Sequence, residues 1–166
     1  MSRGILTVVS GFSGAGKGTL MKALLEKYDN YALSVSATTR DPRPGEHDGV
    51  QYFFKTRQEF EEMIREDAFI EYASYVDHYY GTPRAYVEEQ LQKGKDVILE
   101  IEVQGALNVK KKFPDTLLLF LTPPSAEELE RRLVGRGTES RKVIESRLDR
   151  AVEESACMQE YDYIVI

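Results

Sequence analysis

The residues best suited to chemistry form one glycine-rich stretch near the N-terminus, at positions 11–19. In chain order these positions hold Gly11, Phe12, Ser13, Gly14, Ala15, Gly16, Lys17, Gly18 and Thr19. The glycines let the backbone curl so that successive N–H groups point inward, and a helix that begins there adds the positive end of its dipole. Lys17 supplies a point charge for the outer phosphates of a nucleotide. The stretch therefore predicts a phosphate-binding loop, with a plain glycine-rich turn as the alternative.

Position 18 departs from the usual form of such a loop. Gly18 follows the lysine where a serine or threonine normally offers its hydroxyl to Mg²⁺. Thr19 is the next hydroxyl along the chain. In our interpretation Thr19 takes that role, directly or through a water.

Two flanking segments must position this loop. Residues 5–10 form a short β-branched and apolar run, which is typical of a buried parallel strand. Residues 20–27 carry strong helix formers with apolar side chains at helical spacing. Strand, glycine-rich turn and helix in this order are the context that a phosphate-binding loop requires.

A second candidate site is the segment at 34–46, which carries Arg40 and Arg43. Two prolines and a glycine argue against regular structure there, so both arginines are expected on a stiff loop. Each guanidinium offers a planar fork that matches a phosphate or a carboxylate. We interpret the pair as an anion clamp, with a solvated surface loop as the alternative. The tyrosines that crowd positions 52–86 either pack at a half-wet surface or line a nucleotide pocket.

Two carboxylates follow the next predicted parallel strand, at 96–103. Glu100 and Glu102 are two residues apart, so they project to the same side as the chain leaves the strand. In open α/β sheets the carboxyl ends of the strands face the ligand crevice. The pair therefore predicts contacts to Mg²⁺ or to a base, and solvated strand-end carboxylates are the alternative.

A third cluster of charge surrounds a glycine-flanked break between two predicted helices near the C-terminus. Arg132 precedes the break, Arg136 lies within it, and Arg147 follows it. A glycine-flanked segment with arginines is typical of a closing lid. Arg141 and Arg150 are interpreted instead as solvated charges on a helix face.

The remaining elements follow from capping signals and apolar periodicity. Capping boxes beginning at Thr56 and Ser125 each predict the start of a helix. Thr82 and Pro83 are predicted as the N-cap and the first position of another helix. Further strands are predicted at 31–33, 50–54, 69–75, 117–121 and 161–166, and helices at 105–112 and 141–158.

Composition narrows the class of protein. The 166 residues suffice for one domain with room for a small inserted lobe, and 42% are hydrophobic and 30% charged, as in ordinary soluble proteins. No apolar run approaches the roughly 20 residues of a membrane span. The net charge of −6 argues against a general nucleic-acid surface. The single cysteine, Cys157, suits a reducing cytosol, so a cytoplasmic protein is expected.

Several of these stretches together resemble guanylate kinase, in the bacterial form with a Gly-Lys-Gly-Thr loop. The resemblance runs from about Thr7 to the last residue, in unbroken order, and its motifs lie at 11–17, 34–46, 69–72, 79–82, 99–105 and 135–139. It implies an α/β P-loop nucleoside-monophosphate kinase with a three-layer parallel-sheet core at 1–33 and 85–166. It further implies an inserted GMP-binding lobe at 34–84 and a lid at about 125–150. The implied reaction transfers a phosphoryl group from ATP to GMP with Mg²⁺, in a monomer or weak homo-oligomer.

The resemblance also implies roles for individual residues. The residues implied to hold the phosphate of GMP are Arg40, Arg43, Tyr52 and Tyr80. Those implied to face the guanine are Ser36, Glu71, Thr82 and Glu102. Lys17 and the loop amides are implied to hold the ATP phosphates, with Arg132, Arg136 and Arg147 approaching from the lid side. Thr19 and Glu100 are the candidates for Mg²⁺, Glu100 through a water.

The sequence departs from the family pattern in three ways. Phe12 replaces a common proline, and Glu100 and Glu102 stand where many members have aspartates. The family normally continues past Ile166 with a short acidic loop and a final helix, so the sequence is expected to lack that helix.

Three other functions remain open from the residues. An adenylate kinase shares the Gly-Lys-Gly-Thr loop, and turnover of guanine against adenine nucleotides separates the two. A non-catalytic domain of the same fold binds phosphopeptides with equivalent arginines, although the complete loop with Lys17 argues against it. A P-loop hydrolase or switch is disfavoured because two separate arginine clusters imply two anionic substrates.

Overall fold

The computed structural model describes residues 3–75, 77–135, 137 and 140–166. Within these ranges the first half of the chain forms β1 (Leu6–Gly11), α1 (Lys17–Lys27), β2 (Tyr31–Leu33), β3 (Ala37–Thr38), β4 (Phe53–Phe54), α2 (Arg57–Arg65), β5 (Phe69–Tyr75) and β6 (His78–Pro83). The second half forms α3 (Arg84–Gln92), β7 (Asp96–Glu100), α4 (Val103–Lys112), β8 (Leu117–Leu121), α5 (Ala126–Gly135), α6 (Arg141–Ser155), a 3₁₀ turn (Met158–Glu160) and β9 (Tyr163–Val165).

The main sheet is parallel, in the order β2-β7-β1-β8-β9. Its central strands are near-continuous apolar runs because helices cover both faces. Val8 belongs to a core shared with α3, α4, α5 and α6, whereas its neighbour Val9 packs with Met21 of α1. Adjacent residues of a strand point to opposite faces, so these two clusters define a helix–sheet–helix sandwich. The predicted three-layer α/β fold is confirmed.

The register of the main sheet brings the site residues to one edge. Val9 is paired with Glu100 across β1 and β7, and Gly11 is paired with Leu121 across β1 and β8. The glycine-rich loop and the carboxylate at the end of β7 therefore leave the sheet side by side. This is the edge at which open α/β sheets bind their ligands.

A second sheet has the order β4-β3-β6-β5, with an antiparallel β5–β6 pair. Its small core consists of Ala37, Phe60 and Phe69. The Phe60 ring stacks on those of Phe69 and Tyr79, with centroids 4.4 and 5.1 Å apart. This core lies on the face of α2 that carries Phe60.

Several predicted elements are confirmed by the structure. The strands at 69–75 and 117–121 have the predicted bounds. The capping box at Thr56 is complete, because the Thr56 hydroxyl accepts from the Glu59 N–H and the Glu59 carboxylate accepts from the Thr56 N–H. Among the described residues, no helix combines the length and the apolar character needed to cross a bilayer.

Tertiary contacts overturn the predicted cap at Thr82. Thr82 and Pro83 end β6, and Pro83 is the N-cap of α3, which begins at Arg84. The Thr82 hydroxyl donates instead to a buried carboxylate oxygen of Glu71 across the β5–β6 pair, at 2.9 Å. The pairing of β5 with β6 therefore determines the position of Thr82, and the local capping signal does not.

Other predicted boundaries were also wrong. The segment at 34–46 contains the short strand β3, which is fully buried between β4 and β6, and its prolines and glycine all follow that strand. The predicted strand at 50–54 is regular only at β4, and the one at 96–103 ends at Glu100, because α4 already begins at Val103. The final long helix ends at Ser155, where a 3₁₀ turn replaces its predicted last turn.

Candidate active site

The glycine-rich loop is built to receive an anion at the start of α1. Gly14 and Gly16 have φ of +89° and +99°, a left-handed conformation that glycine adopts without strain. The Lys17 ammonium donates to the carbonyl oxygens of Gly11 and Phe12, at 2.7 and 3.2 Å. The cation is therefore held against the loop, in reach of any phosphate bound by the loop amides and the helix N-terminus.

The side chain of Phe12 serves the core rather than the loop. Phe12 is buried, and its ring meets that of Phe120 edge to face with centroids 5.0 Å apart. The backbone of Phe12 takes part in the loop, because its carbonyl accepts from the Lys17 ammonium and from the Ala15 N–H.

Two of the predicted arginines contact this loop directly. Arg132 of α5 donates to the Ala15 carbonyl at 3.0 Å, and Arg147 of α6 donates to the Ser13 hydroxyl. Both helices are thus anchored on the loop. Arg136 lies outside the described residues.

Glu128 orients Arg132. Its carboxylate accepts from Arg132 Nε at 2.6 Å and from Arg131, and these bonds hold the pKa of Glu128 down to about 2. The predicted capping box at Ser125 is therefore only half formed. The Ser125 hydroxyl accepts from the Glu128 N–H, whereas the Glu128 carboxylate is bound to Arg131 and Arg132.

A cavity of about 720 Å³ opens between the loop, the end of β7 and helix α6. It is lined by residues from all three parts, among them Ser13, Lys17, Glu100, Glu102, Arg147 and Arg150. The structure therefore brings together the loop lysine, both strand-end carboxylates and a predicted lid arginine.

Arg150 is exposed on α6, as its interpretation as a solvated helix-face charge predicts, but it also has a partner that the sequence did not indicate. Its guanidinium binds Glu102 at 2.8 Å and Glu154 at 3.1 Å, on the wall of this cavity. Glu102 is the N-cap position of α4, 48 residues away in sequence, so no local pattern could reveal the pair. Arg141, in contrast, is exposed and pairs with Glu145 one helical turn away, as predicted.

The candidates for Mg²⁺ do not share one cavity. Glu100 lines the cavity with Lys17, whereas Thr19 is exposed and lines another, of about 850 Å³, beside Gly16 and Arg132. Within the described residues there is no cluster of three or more His, Cys, Asp or Glu that could hold a metal. These donors fit Mg²⁺, an oxygen-seeking ion that is typically bound by one or two carboxylates plus substrate phosphates.

A buried carboxylate lies apart from the phosphate loop. Glu71 on β5 is 8% exposed and accepts from the Thr82 hydroxyl. Burial raises the pKa of Glu71, opposed by the Thr82 bond and by the charge of Lys112. Gly105 of α4 makes room for this carboxylate, because a Cβ at Gly105 would lie 3.1 Å from Glu71 Oε2. Ser36, assigned to the same group, is only partly buried and pairs through its carbonyl with the Phe53 N–H.

Arg40, Tyr52 and Tyr80 come together beside the second sheet, with Tyr80 on β6. The Arg40 guanidinium lies 5.3 Å from the centroid of the Tyr52 ring, which meets the Tyr80 ring edge to face at 6.0 Å. Arg43 is exposed and bonds to Glu46 through its backbone: its N–H donates to Glu46 Oε2 at 2.7 Å, and its carbonyl accepts from the Glu46 N–H at 3.0 Å. Glu46 was missed in the sequence, although an acidic residue among arginines in a proline-rich loop is a usable signal.

Comparisons with known proteins place these features in a family. A family model described as guanylate kinase matches residues 3–166. The chain is 59% identical over 165 residues to the guanylate kinase of Streptococcus pneumoniae, covering 99% of this chain and 79% of that one. It is 60% identical over 164 residues to the guanylate kinase of Lactococcus lactis, covering 99% and 80%. The crystal structure of guanylate kinase from Anaplasma phagocytophilum superposes with a TM-score of 0.75 at 34% identity, covering 99% and 77%.

Proposed function

This chain belongs to the guanylate kinase family, and we infer that it transfers the γ-phosphoryl group of ATP to GMP, giving GDP and ADP. The observation that carries this inference is the family match over residues 3–166, which includes every element that contributes to the site. Adenylate-kinase-like and phosphopeptide-binding functions are not favoured by these relatives.

We propose that the donor side is the glycine-rich loop. Its amides and Lys17 would bind the ATP phosphates, and Arg132 and Arg147, which already contact the loop, would stabilise charge on the transferring group. Arg136 is assigned to the same role by the family resemblance. Phosphoryl transfer depends mainly on positioning and charge stabilisation, which suits an inventory of lysine and arginines.

We propose that the acceptor side divides into a base site and a phosphate site. Glu71, with Thr82, Ser36 and Glu102, would face the guanine, because a carboxylate accepts the two adjacent donors of that base. Arg40, Tyr52, Tyr80 and Arg43 would hold the GMP phosphate. That phosphate has a second pKa near 6 and is mostly ionised at neutral pH, so transfer needs no strong general base.

Mg²⁺ is proposed as the accompanying ion, with Glu100 holding one of its waters and Thr19 as the hydroxyl candidate. When bound, such an ion neutralises phosphate charge and orients the donor. The protein contributes oxygen donors at the rim of the site.

We also propose that the lobe at 34–84 binds GMP, that residues 125–150 act as a lid over the core, and that the enzyme is cytoplasmic. A reducing compartment suits Cys157, which has no disulfide. A monomer or weak homo-oligomer is the proposed state, with GMP and ATP rather than nucleic acid or membrane as partners.

A coupled assay that measures ADP formation with GMP or AMP as acceptor tests the function. We expect turnover with GMP and little with AMP. Preferential turnover of AMP would point to an adenylate kinase. Phosphopeptide binding without turnover of either nucleotide would point to a non-catalytic domain.

Gly105→Ala is expected to weaken GMP use without weakening the fold. Alanine favours a helix over glycine by about 1 kcal/mol, so α4 should not lose stability. The added Cβ meets Glu71 Oε2 at 3.1 Å and Ile101 Cδ1 at 3.3 Å, so the carboxylate must shift. We expect KM for GMP to rise about tenfold with KM for ATP unchanged, as for one weakened bond to a charged group. An unchanged KM for GMP in Gly105→Ala contradicts the proposed role of Glu71.

KM for GMP is expected to rise as pH falls through the raised pKa of Glu71. Protonation turns one carboxylate oxygen into a donor, which faces the donors of guanine, so bound GMP favours the ionised form. The effect of pH on folding stability through Glu71 has the opposite direction. A raised pKa in the folded state means that the contribution of Glu71 to the free energy of unfolding is complete at low pH and is lost as pH rises through that pKa.

The phosphate of GMP titrates as well, so Glu71→Gln is the reference for this pH profile. The part of the profile that disappears in the variant belongs to Glu71. Superimposable profiles for the two proteins would remove Glu71 from the base site.

A further inference from the structure

The guanidinium of Arg40 is held end-on by one carboxylate. Its Nη1 donates to Glu46 Oε2 and its Nη2 donates to Glu46 Oε1, both at 3.0 Å. Nη1 also donates to the Asp41 carbonyl at 2.7 Å. Both side chains are mostly buried, 14% exposed for Arg40 and 18% for Glu46. The pair is a bidentate, charge-assisted contact of defined orientation.

The same carboxylate closes the loop that carries both clamp arginines. Glu46 Oε2 accepts from the Arg43 backbone N–H at 2.7 Å, and the Glu46 N–H donates back to the Arg43 carbonyl at 3.0 Å. The bonds from Arg40 and from the Arg43 amide lower the pKa of Glu46, so it is ionised at neutral pH. Glu46 thus fixes the loop backbone and the Arg40 side chain together.

This arrangement uses only one edge of the Arg40 guanidinium. A guanidinium has five N–H donors, and the bonds to Glu46 and Asp41 consume both hydrogens of Nη1 and one of Nη2. The Nε–H and the second Nη2 hydrogen remain along the side edge, without a carboxylate partner among the described residues. Tyr80 interacts with Arg40, and the ring of Tyr52 lies close to it. A second anion can therefore bind the side edge while Glu46 stays in place.

We propose that Glu46 is a positioning residue for the acceptor phosphate. Its carboxylate binds the Nη1–Nη2 end of Arg40 and thereby orients the side edge of that guanidinium toward the phosphate of GMP. This proposal rests on the proposed function. The opposite role, in which Glu46 occupies the place of the phosphate and is displaced by it, is disfavoured by geometry. Displacement would break the Arg43 amide bond as well as both bonds to Arg40.

The test begins with Glu46→Gln, which keeps the shape of the side chain and removes its charge. We expect KM for GMP to rise about tenfold, as for loss of one charge-assisted hydrogen bond. KM for ATP should not change, because the donor side uses other residues. Calorimetric affinity for guanosine, which lacks the phosphate, should also be unchanged. Glu62→Gln is the matched control, since Glu62 also pairs with an arginine, Arg65, but on the exposed surface of α2.

A double-mutant cycle with Arg40→Lys decides whether Glu46 acts through Arg40. Lysine has no fork, so in that background Glu46→Gln should add less than about a twofold effect on GMP affinity. Additive effects would overturn the proposal, and tighter GMP binding by Glu46→Gln would show that the carboxylate competes with phosphate. A parallel loss of guanosine affinity would reduce Glu46 to a structural role. If thermal melts show that Glu46→Gln is unfolded, Glu46→Asp replaces it under the same criteria.

The binding measurements separate this proposal from the proposed function. If the wild-type protein binds GMP but does not phosphorylate it, the kinase assignment fails, while the comparison of GMP with guanosine still tests Glu46.

Discussion

We expect Lys17→Ala to abolish phosphoryl transfer while leaving GMP binding nearly intact. In the structure the Lys17 ammonium lies against the carbonyls of Gly11 and Phe12, inside the loop proposed to bind the ATP phosphates. Removing one preorganised charge from such a site typically costs about 10²–10³ in kcat. Steady-state kinetics measures the loss, and calorimetry with GMP checks that the acceptor side is intact.

The matched control is Lys22→Ala on the same helix. Lys22 is exposed and pairs only loosely with Glu26, at 3.9 Å, so this change tests helix and net-charge effects alone. We expect it to retain wild-type turnover. If Lys17→Ala keeps more than about a tenth of wild-type turnover, the electrostatic role given to Lys17 is wrong.

We expect a strong preference for GMP over AMP, and we expect Glu71→Gln to erode it, chiefly by weakening the use of GMP. Guanine presents two adjacent donors, N1–H and the 2-amino group, whereas adenine presents an acceptor at N1 and no 2-amino group. Glu71 is buried, and in its ionised form its carboxylate can only accept hydrogen bonds. It therefore matches the donors of guanine but faces a lone pair of adenine. Sites built on such polar pairing discriminate by about 10⁴ or more.

The measurement is the ratio of kcat/KM for GMP to that for AMP. Glu66→Gln is the control, because Glu66 is an exposed carboxylate at the end of α2. A wild-type ratio in Glu71→Gln would transfer the reading of the base to Ser36 or Glu102.

The sequence by itself determined the features whose signals are local. The glycine-rich loop, its strand and its helix are contiguous, and glycine spacing with apolar periodicity identifies them without any distant partner. The strands at 69–75 and 117–121 have their predicted bounds for the same reason, since each is an apolar run bounded by turns. The assignment to the family also comes from ordered local motifs.

Tertiary structure decided which polar groups meet. Thr82 carries a capping signal, yet its hydroxyl bonds to Glu71 because β5 and β6 pair across the second sheet. Arg150 has the pattern of a solvated helix charge, yet α6 packs where its guanidinium reaches Glu102, 48 residues earlier. In each case the partner comes from another element.

Glu46 stands between these two cases. Its partners Arg40 and Arg43 are six and three residues away, but the bidentate geometry depends on the turn that the loop adopts. Residue types and spacing specify which charges are available, whereas only the folded backbone specifies which edge of Arg40 remains open to a substrate. Hydrogen bonds are directional and side chains have several rotamers, so that choice is made by packing and not by composition.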